Sequence, residues 1–432
     1  MTRNKLTIAV EGCCHGELDN IYRQIAIQEQ RMNKRVDLLI ICGDFQAVRN
    51  VADLECMSCP DKYKQLGGFY RYYTGERQAP IPTIFVGGNH EASNHMRELY
   101  FGGWVAPNIF YMGASGVVRF GGVRIGGITG IFKDFNFEKG VFERPPFRSY
   151  MRSAMHHVRS FEVFKMLQIR SPLDVVVSHD WPLGIEQFGD VNGLLRIKPF
   201  FTAEVNENRL GSPPNALLLE HLRPAWWFSA HMHVRFAAPR TPRVPGRPTD
   251  FLALDKCLPR RQFLEIIEVD VPEDHADHPL QLEYDPEWLA ILRLTTRHLP
   301  LSESPFQLPA DVRSTGTLDL PLLPDSAIAR ETEWVNRNVV VNGRAPIPCN
   351  FVPMAPVPEP GTPDSAHFGL ATRGHNGRIF PSTRGRRGYY GGNPYDSQPW
   401  QGRRPDVLYP NPQTDELCKM LDIDDPITQR TQ

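Results

Sequence analysis

Short apolar runs rich in valine, isoleucine and aromatic residues recur along the chain: KLTIAV at 5–10, VDLLIIC at 36–42, PTIFVG at 82–87, DVVVS at 174–178 and WWFS at 226–229. Each is too short for a helix and is followed by polar residues or glycine, which predicts buried strands. Residues 17–33 carry helical propensity, and RSAMHHVRSFEVFKML at 152–167 sets apolar residues at near-helical spacing, so both are expected to be helices. Strands alternating with helices predict a layered α/β domain. Between 109 and 131 glycines punctuate β-rich pieces (IFYMG, GVVRFGG, VRIGGITG) as hairpins require, and the sheet is therefore expected to be mixed rather than wholly parallel.

The pattern changes downstream. Prolines become frequent after Pro300, and from 361 to 405 the chain has too few aliphatic residues to form a core, which predicts disorder. NPQTDELCKMLDI at 411–423 regains a helical pattern and either docks on the body or forms a solvated tail helix. With 432 residues, 41% of them hydrophobic, the chain can bury a sizeable core and is expected to hold one large domain and something smaller. The 48 Lys and Arg against 49 Asp and Glu neither announce a nucleic-acid binder nor exclude one, because a local basic channel can sit in a neutral protein. No apolar stretch approaches a membrane span, and MTRNKLTIAVEG runs into a strand without signal-peptide anatomy, so an intracellular protein is expected. Eight scattered cysteines suit reduced thiols, and the lone Cys56-Met-Ser-Cys59 reads as structural.

The chemistry lies just past each predicted strand. Cys13-Cys14-His15 comes after the first, Gly43-Asp44 after the second, Gly88-Asn89-His90-Glu91 after the third, Ser178-His179-Asp180 after the fourth and His231-Met232-His233 after the fifth. The carboxyl ends of strands in an α/β sheet share one edge, where ligands bind. Carboxylate, amide oxygen and imidazole converging there suit two divalent transition metals, with Asp44 as the natural bridging carboxylate. Any one of these motifs could be a turn or a core histidine; their order and repeated position carry the expectation.

That order resembles the calcineurin-like metallophosphoesterase superfamily, whose pattern is DxH, GD, GNH[ED], H and HxH on a four-layer α/β/β/α sandwich. EGCCHGELD, CGDFQAVRN, GGNHEASN, SHDWP, SAHMHV, LDKCLPRRQFLEI and LEYDPEWLAIL, over roughly residues 5–300, are similar to its RNA lariat debranching family, with shorter echoes at PCNF and NPQT. The resemblance implies a metallophosphoesterase catalytic domain at 1–240, a C-terminal debranching-enzyme domain at 241–350 packed on it, a Pro/Gly/Arg-rich segment at 351–410 and a helical tail at 411–432. It implies that Cys13, His15, Asp44 and His233 surround one metal, and Asp44, Asn89, His179 and His231 the other. Cysteine stands at 13 where most of the superfamily has aspartate. A thiolate there would tilt the first site toward Zn(II) or Fe(II), with Mn(II) also compatible with the pair; alternatively Cys13 stays protonated or turns away. Cys14 is expected to pack on the opposite side. His90 is expected to stabilise the transition state or act as general acid; the alternative is that it orients Asp44 or Asn89. Asp180 is expected to orient an imidazole.

The implied substrate is branched intron lariat RNA and the implied reaction is hydrolysis of its 2′-5′ phosphodiester during mRNA processing, in the nucleus. Residues 130–159 interleave aromatic and basic side chains at the position of the family's lariat-recognition loop, and Lys133, Tyr150, His157 and Arg159 are the candidate RNA contacts, with Lys256 as a further phosphate contact. The alternative is that Phe132, Phe135, Phe137 and Phe142 merely anchor a surface loop. RGRR at 384–387 could lend nonspecific RNA affinity. Two other readings remain at this level: a related hydrolase of a nucleotide or phosphoprotein, and a noncatalytic RNA-binding scaffold that has kept the fold.

Overall fold

The alternation along the first two strands sets the architecture. In β1 (Lys5–Glu11) Leu6, Ile8 and Val10 face one side and Ala9 the other, and in β2 (Leu38–Ile41) Leu38 and Ile40 oppose Leu39 and Ile41. Both faces are buried, so the sheet must be covered twice. The computed structural model describes residues 4–241, 248–306, 313–315, 320–357 and 408–427. The expected disorder at 361–405 and the RGRR cluster lie outside them.

The further strands are β3 (Thr83–Phe85), β4 (Gly103–Ala106), β5 (Ile109–Tyr111), β6 (Ser115–Phe120), β7 (Val123–Ile128), β8 (Val175–Ser178), β9 (Trp226–Ser229), β10 (Phe236–Thr241), β11 (Thr249–Ala253), β12 (Leu264–Asp270) and β13 (Leu282–Tyr284). They form two mixed sheets, ordered β12-β1-β2-β3-β5-β4 and β10-β11-β9-β8-β7-β6-β13. β1, β2, β3 and β5 run parallel in the first sheet, and β7, β8, β9 and β11 in the second. The sheets face each other through Leu6, Ile8, Val10, Leu38 and Ile40 on one side and Ile125, Val175, Val177 and Phe228 on the other. The helix Leu18–Met32 covers the outer face of the first sheet with Leu18, Ile21, Tyr22 and Ile25. Helices Ser160–Leu167, Pro213–Leu222 and Pro286–Thr295 cover the second. The result is a four-layer α/β/β/α sandwich, as the resemblance implies.

Three expectations are modified. The single helix expected at 152–167 is two, Ser149–Ala154 and Ser160–Leu167, because His157 between them pairs with Ile131 as an isolated bridge. Residues 249–284 are not a unit packed on a finished core: β11 is inserted between β10 and β9, and β12 and β13 complete one edge of each sheet. The Pro/Gly/Arg-rich segment expected from 351 has a packed beginning, since the Tyr73 hydroxyl accepts the Ala355 N–H (2.8 Å) and the Pro356 carbonyl accepts from the Asn50 amide (2.7 Å).

The helix expected at 411–423 forms as Pro412–Leu421, capped by the Asn411 side chain with proline at its first position. It docks rather than standing free. Gln413 donates to the Trp104 carbonyl (2.9 Å) and accepts its N–H (2.7 Å), behaving as a further strand partner for β4. Among the described residues no helix is long and apolar enough to cross a membrane.

Candidate metal centre

The strand ends of both sheets open onto one site. Beyond β1 and β2 the parallel pairing continues: the Cys14 N–H donates to the Gly43 carbonyl (3.3 Å), His15 to Asp44 (2.6 Å) and Gly16 to Phe45 (3.2 Å). Across the gap, the Ala230 N–H donates to the His179 carbonyl (3.0 Å). The two ladders aim their side chains at each other.

The backbone there is strained. His15, Asp44, Gln46, His231 and His233 all adopt left-handed conformations, with φ of 47°, 46°, 62°, 58° and 48°. Each costs roughly 1–2 kcal/mol for a non-glycine residue. Five such residues around one point show the scaffold holding side chains where chemistry, rather than local preference, requires them. Glycine is obligatory at two neighbouring positions: a Cβ on Gly43 would lie 2.3 Å from His179 Nδ1, and one on Gly88 would lie 2.3 Å from Asp44 Oδ1.

Ligand atoms of Cys13, His15, Asp44 and His233 lie within 4.8 Å of one another. His15 Nε2 is 3.4 Å from His233 Nε2 and 3.6 Å from Asp44 Oδ2. On the other carboxylate oxygen, His179 Nε2 is 3.4 Å from Asp44 Oδ1 and 3.3 Å from Asn89 Oδ1. Ligands bonded tetrahedrally at about 2.1 Å stand about 3.4 Å apart, and the His15–His233, His15–Asp44, His179–Asp44 and His179–Asn89 pairs have that spacing. The His231 ring lies 5.0 Å from the His179 ring, beside this second set.

Protonation sharpens the point. Burial pushes His179 down to about 4 and His233 to about 3, and it lowers His15 as well, so the imidazoles are neutral at physiological pH. His179 Nδ1 donates to the Cys42 carbonyl (2.8 Å), which leaves Nε2 a bare lone pair. That lone pair faces the Asn89 and Asp44 oxygens at 3.3 and 3.4 Å, an arrangement of acceptors that a cation between them would stabilise. Burial opposes ionisation of Asp44, but His179, His15, His90 and His231 more than offset it and hold the carboxyl well below the usual range. Burial, then Asp44 and Glu11, push the Cys13 thiol well up, opposed by the His231 backbone N–H. A cation would therefore have to displace a proton to bind sulfur there.

His90 stands beside both sets. Its backbone N–H donates to Asp44 Oδ1 (2.8 Å) and its ring is 5.7 Å from that of His15. Sequence reasoning missed the roles of two neighbours, Glu91 and Gln46. The fully buried Glu91 carboxylate accepts the N–H groups of Phe45 (2.7 Å), Gly88 (3.0 Å) and Gln46 (2.8 Å), tying the Asp44 loop to the Asn89 loop. Burial pushes it up to about 8 even so. The Gln46 amide meets His15 Nδ1 at 3.2 Å and sets the ring's orientation. The signal available was the last position of the GNH[ED] motif for Glu91 and adjacency to the Gly43-Asp44 motif for Gln46. Asp180 differs from expectation, because its carboxylate accepts the Phe132 (3.2 Å) and Trp181 (3.0 Å) N–H groups rather than an imidazole. Cys14 is buried on the outer face of the first sheet, away from the cluster, as expected.

The four candidate RNA contacts separate. Lys133 is exposed, and so is Tyr150, which stacks on Phe142 at 6.4 Å. His157 is 8% exposed, with Nδ1 against the Asn136 amide (2.8 Å). Arg159 is 4% exposed and donates to the Asn136 (2.6 Å) and Ala154 (2.9 Å) carbonyls while pairing with Glu143. The expectation that Arg159 reaches RNA is corrected: its guanidinium is engaged in holding the 130–159 loop together. Of the phenylalanines, Phe137 is buried and Phe132 packs on it at 5.5 Å, whereas Phe135 is 68% exposed.

The calcineurin-like phosphoesterase family profile matches residues 6–235, and the profile of the lariat debranching enzyme C-terminal domain matches 246–373. Curated lariat debranching enzymes are similar over most of the chain. That of Gallus gallus is 47% identical over 363 residues, covering 83% of this chain and 66% of the relative. That of Homo sapiens is 47% identical over 365 residues, covering 83% and 65%. That of Arabidopsis thaliana is 47% identical over 334 residues, covering 77% and 76%. The chain thus spans slightly under two thirds of the two vertebrate relatives and about three quarters of the plant one.

Proposed function

Since the chain belongs to the lariat debranching enzymes of the calcineurin-like phosphoesterase family, we propose that it hydrolyses the 2′-5′ phosphodiester at the branch point of excised intron lariat RNA. The observation that carries this reading is the meeting of lone pairs from His179, Asn89 and Asp44 beside the Cys13–His15–Asp44–His233 cluster. A noncatalytic scaffold would need none of these side chains near one another, nor the strain that holds them.

Divalent metals are the cofactors of this family, and the donor set fits two: Cys13, His15, Asp44 and His233 would hold one, and Asp44, Asn89, His179 and His231 the other. Bound there, such ions neutralise phosphate charge and make water a better nucleophile at neutral pH. The chain's own part is orientation and proton transfer. Cys42 fixes the His179 tautomer, Gln46 turns His15, and Glu91 locks the loops that carry Asp44 and Asn89. His90, next to the donors but with its ring free of them, is placed to give a proton to the departing 2′ oxygen. Selectivity for the branch comes from the 130–159 loop, where exposed Phe135 and Tyr150 offer stacking faces beside Lys133.

The test incubates the protein with a synthetic 2′-5′ branched RNA and its linear counterpart, with and without chelator. Cleavage of the branched RNA alone, abolished by chelator and restored by Fe(II), Zn(II) or Mn(II), is expected; equal cleavage of both RNAs refutes the reading. Sulfur at position 13 gives a second expectation: Cys13→Ser shifts metal preference away from Zn(II) and Fe(II) with little loss of thermal stability. Unchanged content of both ions by elemental analysis would show that Cys13 is not a ligand. We further propose a nuclear location, where the proposed substrate arises; a fluorescently tagged chain excluded from nuclei would contradict that.

A further inference from the structure

Asp180 follows the donor His179, yet its backbone and its side chain do separate work. The Asp180 carbonyl accepts the Ser178 hydroxyl (2.7 Å) and the Asn215 amide (2.9 Å). With the Ala230 N–H on the His179 carbonyl (3.0 Å) and the His179 Nδ1 bond to Cys42 (2.8 Å), these bonds hold the turn that carries the imidazole. The carboxylate accepts the Trp181 N–H within that turn (3.0 Å, on Oδ1), but its other oxygen reaches out of it. Oδ2 accepts the Phe132 N–H (3.2 Å), at the root of the 130–159 loop.

That root is gripped from the Asn89 side as well. Gly87, two residues before Asn89, accepts the Gly130 N–H on its carbonyl (2.9 Å) and donates its own N–H to Thr129 Oγ1 (2.9 Å). Ile131 then closes the loop on itself: its N–H donates to the His156 carbonyl (3.0 Å) and its carbonyl accepts the Val158 N–H (2.9 Å). Glycine is required at 130, because at φ 100° a Cβ would lie 2.2 Å from the His156 oxygen. Just beyond this root lies the helix Asp134–Phe137. Its exposed Phe135 stands edge-on to the His157 ring at 5.7 Å, and His157 is held by the bridge to Ile131 and by the Asn136 amide (2.8 Å). Bonds and contacts therefore run without a break from His179 through Asp180 and Phe132 to Phe135. Tyr150 is built differently: it stands on the separate helix Ser149–Ala154 and stacks on Phe142 at 6.4 Å.

A ring on a loose stem can stack a base anywhere within its reach, whereas a ring fixed relative to a metal donor also sets where the attached phosphate falls. We propose that Asp180 is a positioning residue: its carboxylate fixes Phe135 at a set distance from the His179 and Asn89 donors, so that an RNA base stacked on that ring brings the branch phosphate to them. This rests on the debranching activity proposed above, and adds which of the two exposed rings determines specificity and which residue places it.

The test measures cleavage of a synthetic 2′-5′ branched RNA by the full chain carrying Asp180→Asn, Phe135→Ala or Tyr150→Ala, singly and in pairs. Asparagine keeps the shape of aspartate but has one acceptor oxygen for two N–H groups, so it cannot keep both bonds. Asp180→Asn is expected to raise KM about tenfold, the worth of one stacked base, with kcat changed less than about twofold and metal content by elemental analysis unchanged. Phe135→Ala should raise KM by the same factor and the Asp180→Asn/Phe135→Ala pair no further, because a single interaction is lost either way; combined with Tyr150→Ala, the Asp180→Asn effect should multiply. Without RNA, amide exchange of residues 131–137 should quicken in Asp180→Asn while that of β8 is unmoved. Multiplied KM effects in the Asp180→Asn/Phe135→Ala pair would overturn the proposal. So would a loss of kcat and metal with KM unmoved, which would show that the carboxylate serves His179 instead. If the unmodified protein cleaves no branched RNA, the function above fails. The placement is then judged by equilibrium binding of the branched RNA in chelator, where Asp180→Asn, Phe135→Ala and their pair must all weaken binding by the same factor of about ten; unequal factors would overturn it.

Discussion

Asp44→Asn is expected to slow cleavage of branched RNA by on the order of 10³-fold, as loss of a group that stabilises transition-state charge does. Asparagine keeps the shape and can still accept the His90 N–H that Asp44 Oδ1 accepts at 2.8 Å, so folding should survive. What disappears is the negative charge between His15 Nε2 at 3.6 Å and His179 Nε2 at 3.4 Å. Because one oxygen faces each donor set, a single substitution should lower occupancy at both positions, whereas His233→Ala should lower chiefly the first and His231→Ala the second. Elemental analysis of the purified variants, read beside single-turnover rates, checks this. If Asp44→Asn cleaved within tenfold of the parent, or lost metal at one position only, Asp44 would not bridge.

The largest effect on stability is expected at Arg49. Its guanidinium is 1% exposed and lies between two carboxylates, donating to Asp53 (2.8 and 3.0 Å) and Glu98 (2.6 and 3.0 Å). Asn94 donates to the same Asp53 (2.7 Å). Arg49→Met leaves two buried carboxylates without their cation and should cost about 3–5 kcal/mol. Arg49→Lys should fall between, because a point charge cannot form both forked pairs. The network also joins the segment after Asp44 to the helix Ser93–Glu98 after Asn89, so loosened metal binding should accompany the lost stability. Denaturant unfolding measures the first and metal titration the second. A midpoint unchanged in Arg49→Met would show that the pairs are dispensable.

How much of this was legible in the sequence varies by residue for physical reasons. The strands β1, β2, β3, β8 and β9 fall where their apolar runs lie, because period and β-branched content are local properties. The helix expected at 152–167 breaks because Ile131, distant in sequence, claims His157 as a bridge partner. Arg159 reads from the sequence as a surface cation; it turns inward because Glu143 is buried and needs it. Gln46 carries no catalytic signature and Glu91 only the last place of GNH[ED]; what each does exists only through hydrogen bonds that cross from one loop to another.

By itself the amino-acid order determined which donors exist and that each sits just past a buried strand, since hydrophobic period and motif chemistry are written locally. Period and motif chemistry did not by themselves divide those strands between two sheets; at that level only the family resemblance implied the α/β/β/α layering. β1, β2 and β3 bring Cys13, His15, Asp44 and Asn89 from one sheet, while β8 and β9 bring His179, His231 and His233 from the other. Their meeting was decided by the packing of Ile8, Val10 and Ile40 against Val175, Val177 and Phe228, which stacks the sheets so that their parallel strands open at a common end. Long-range burial of that kind, and the left-handed turns it forces on His15, Asp44, His231 and His233, is a property of the whole fold that no short stretch of residues encodes.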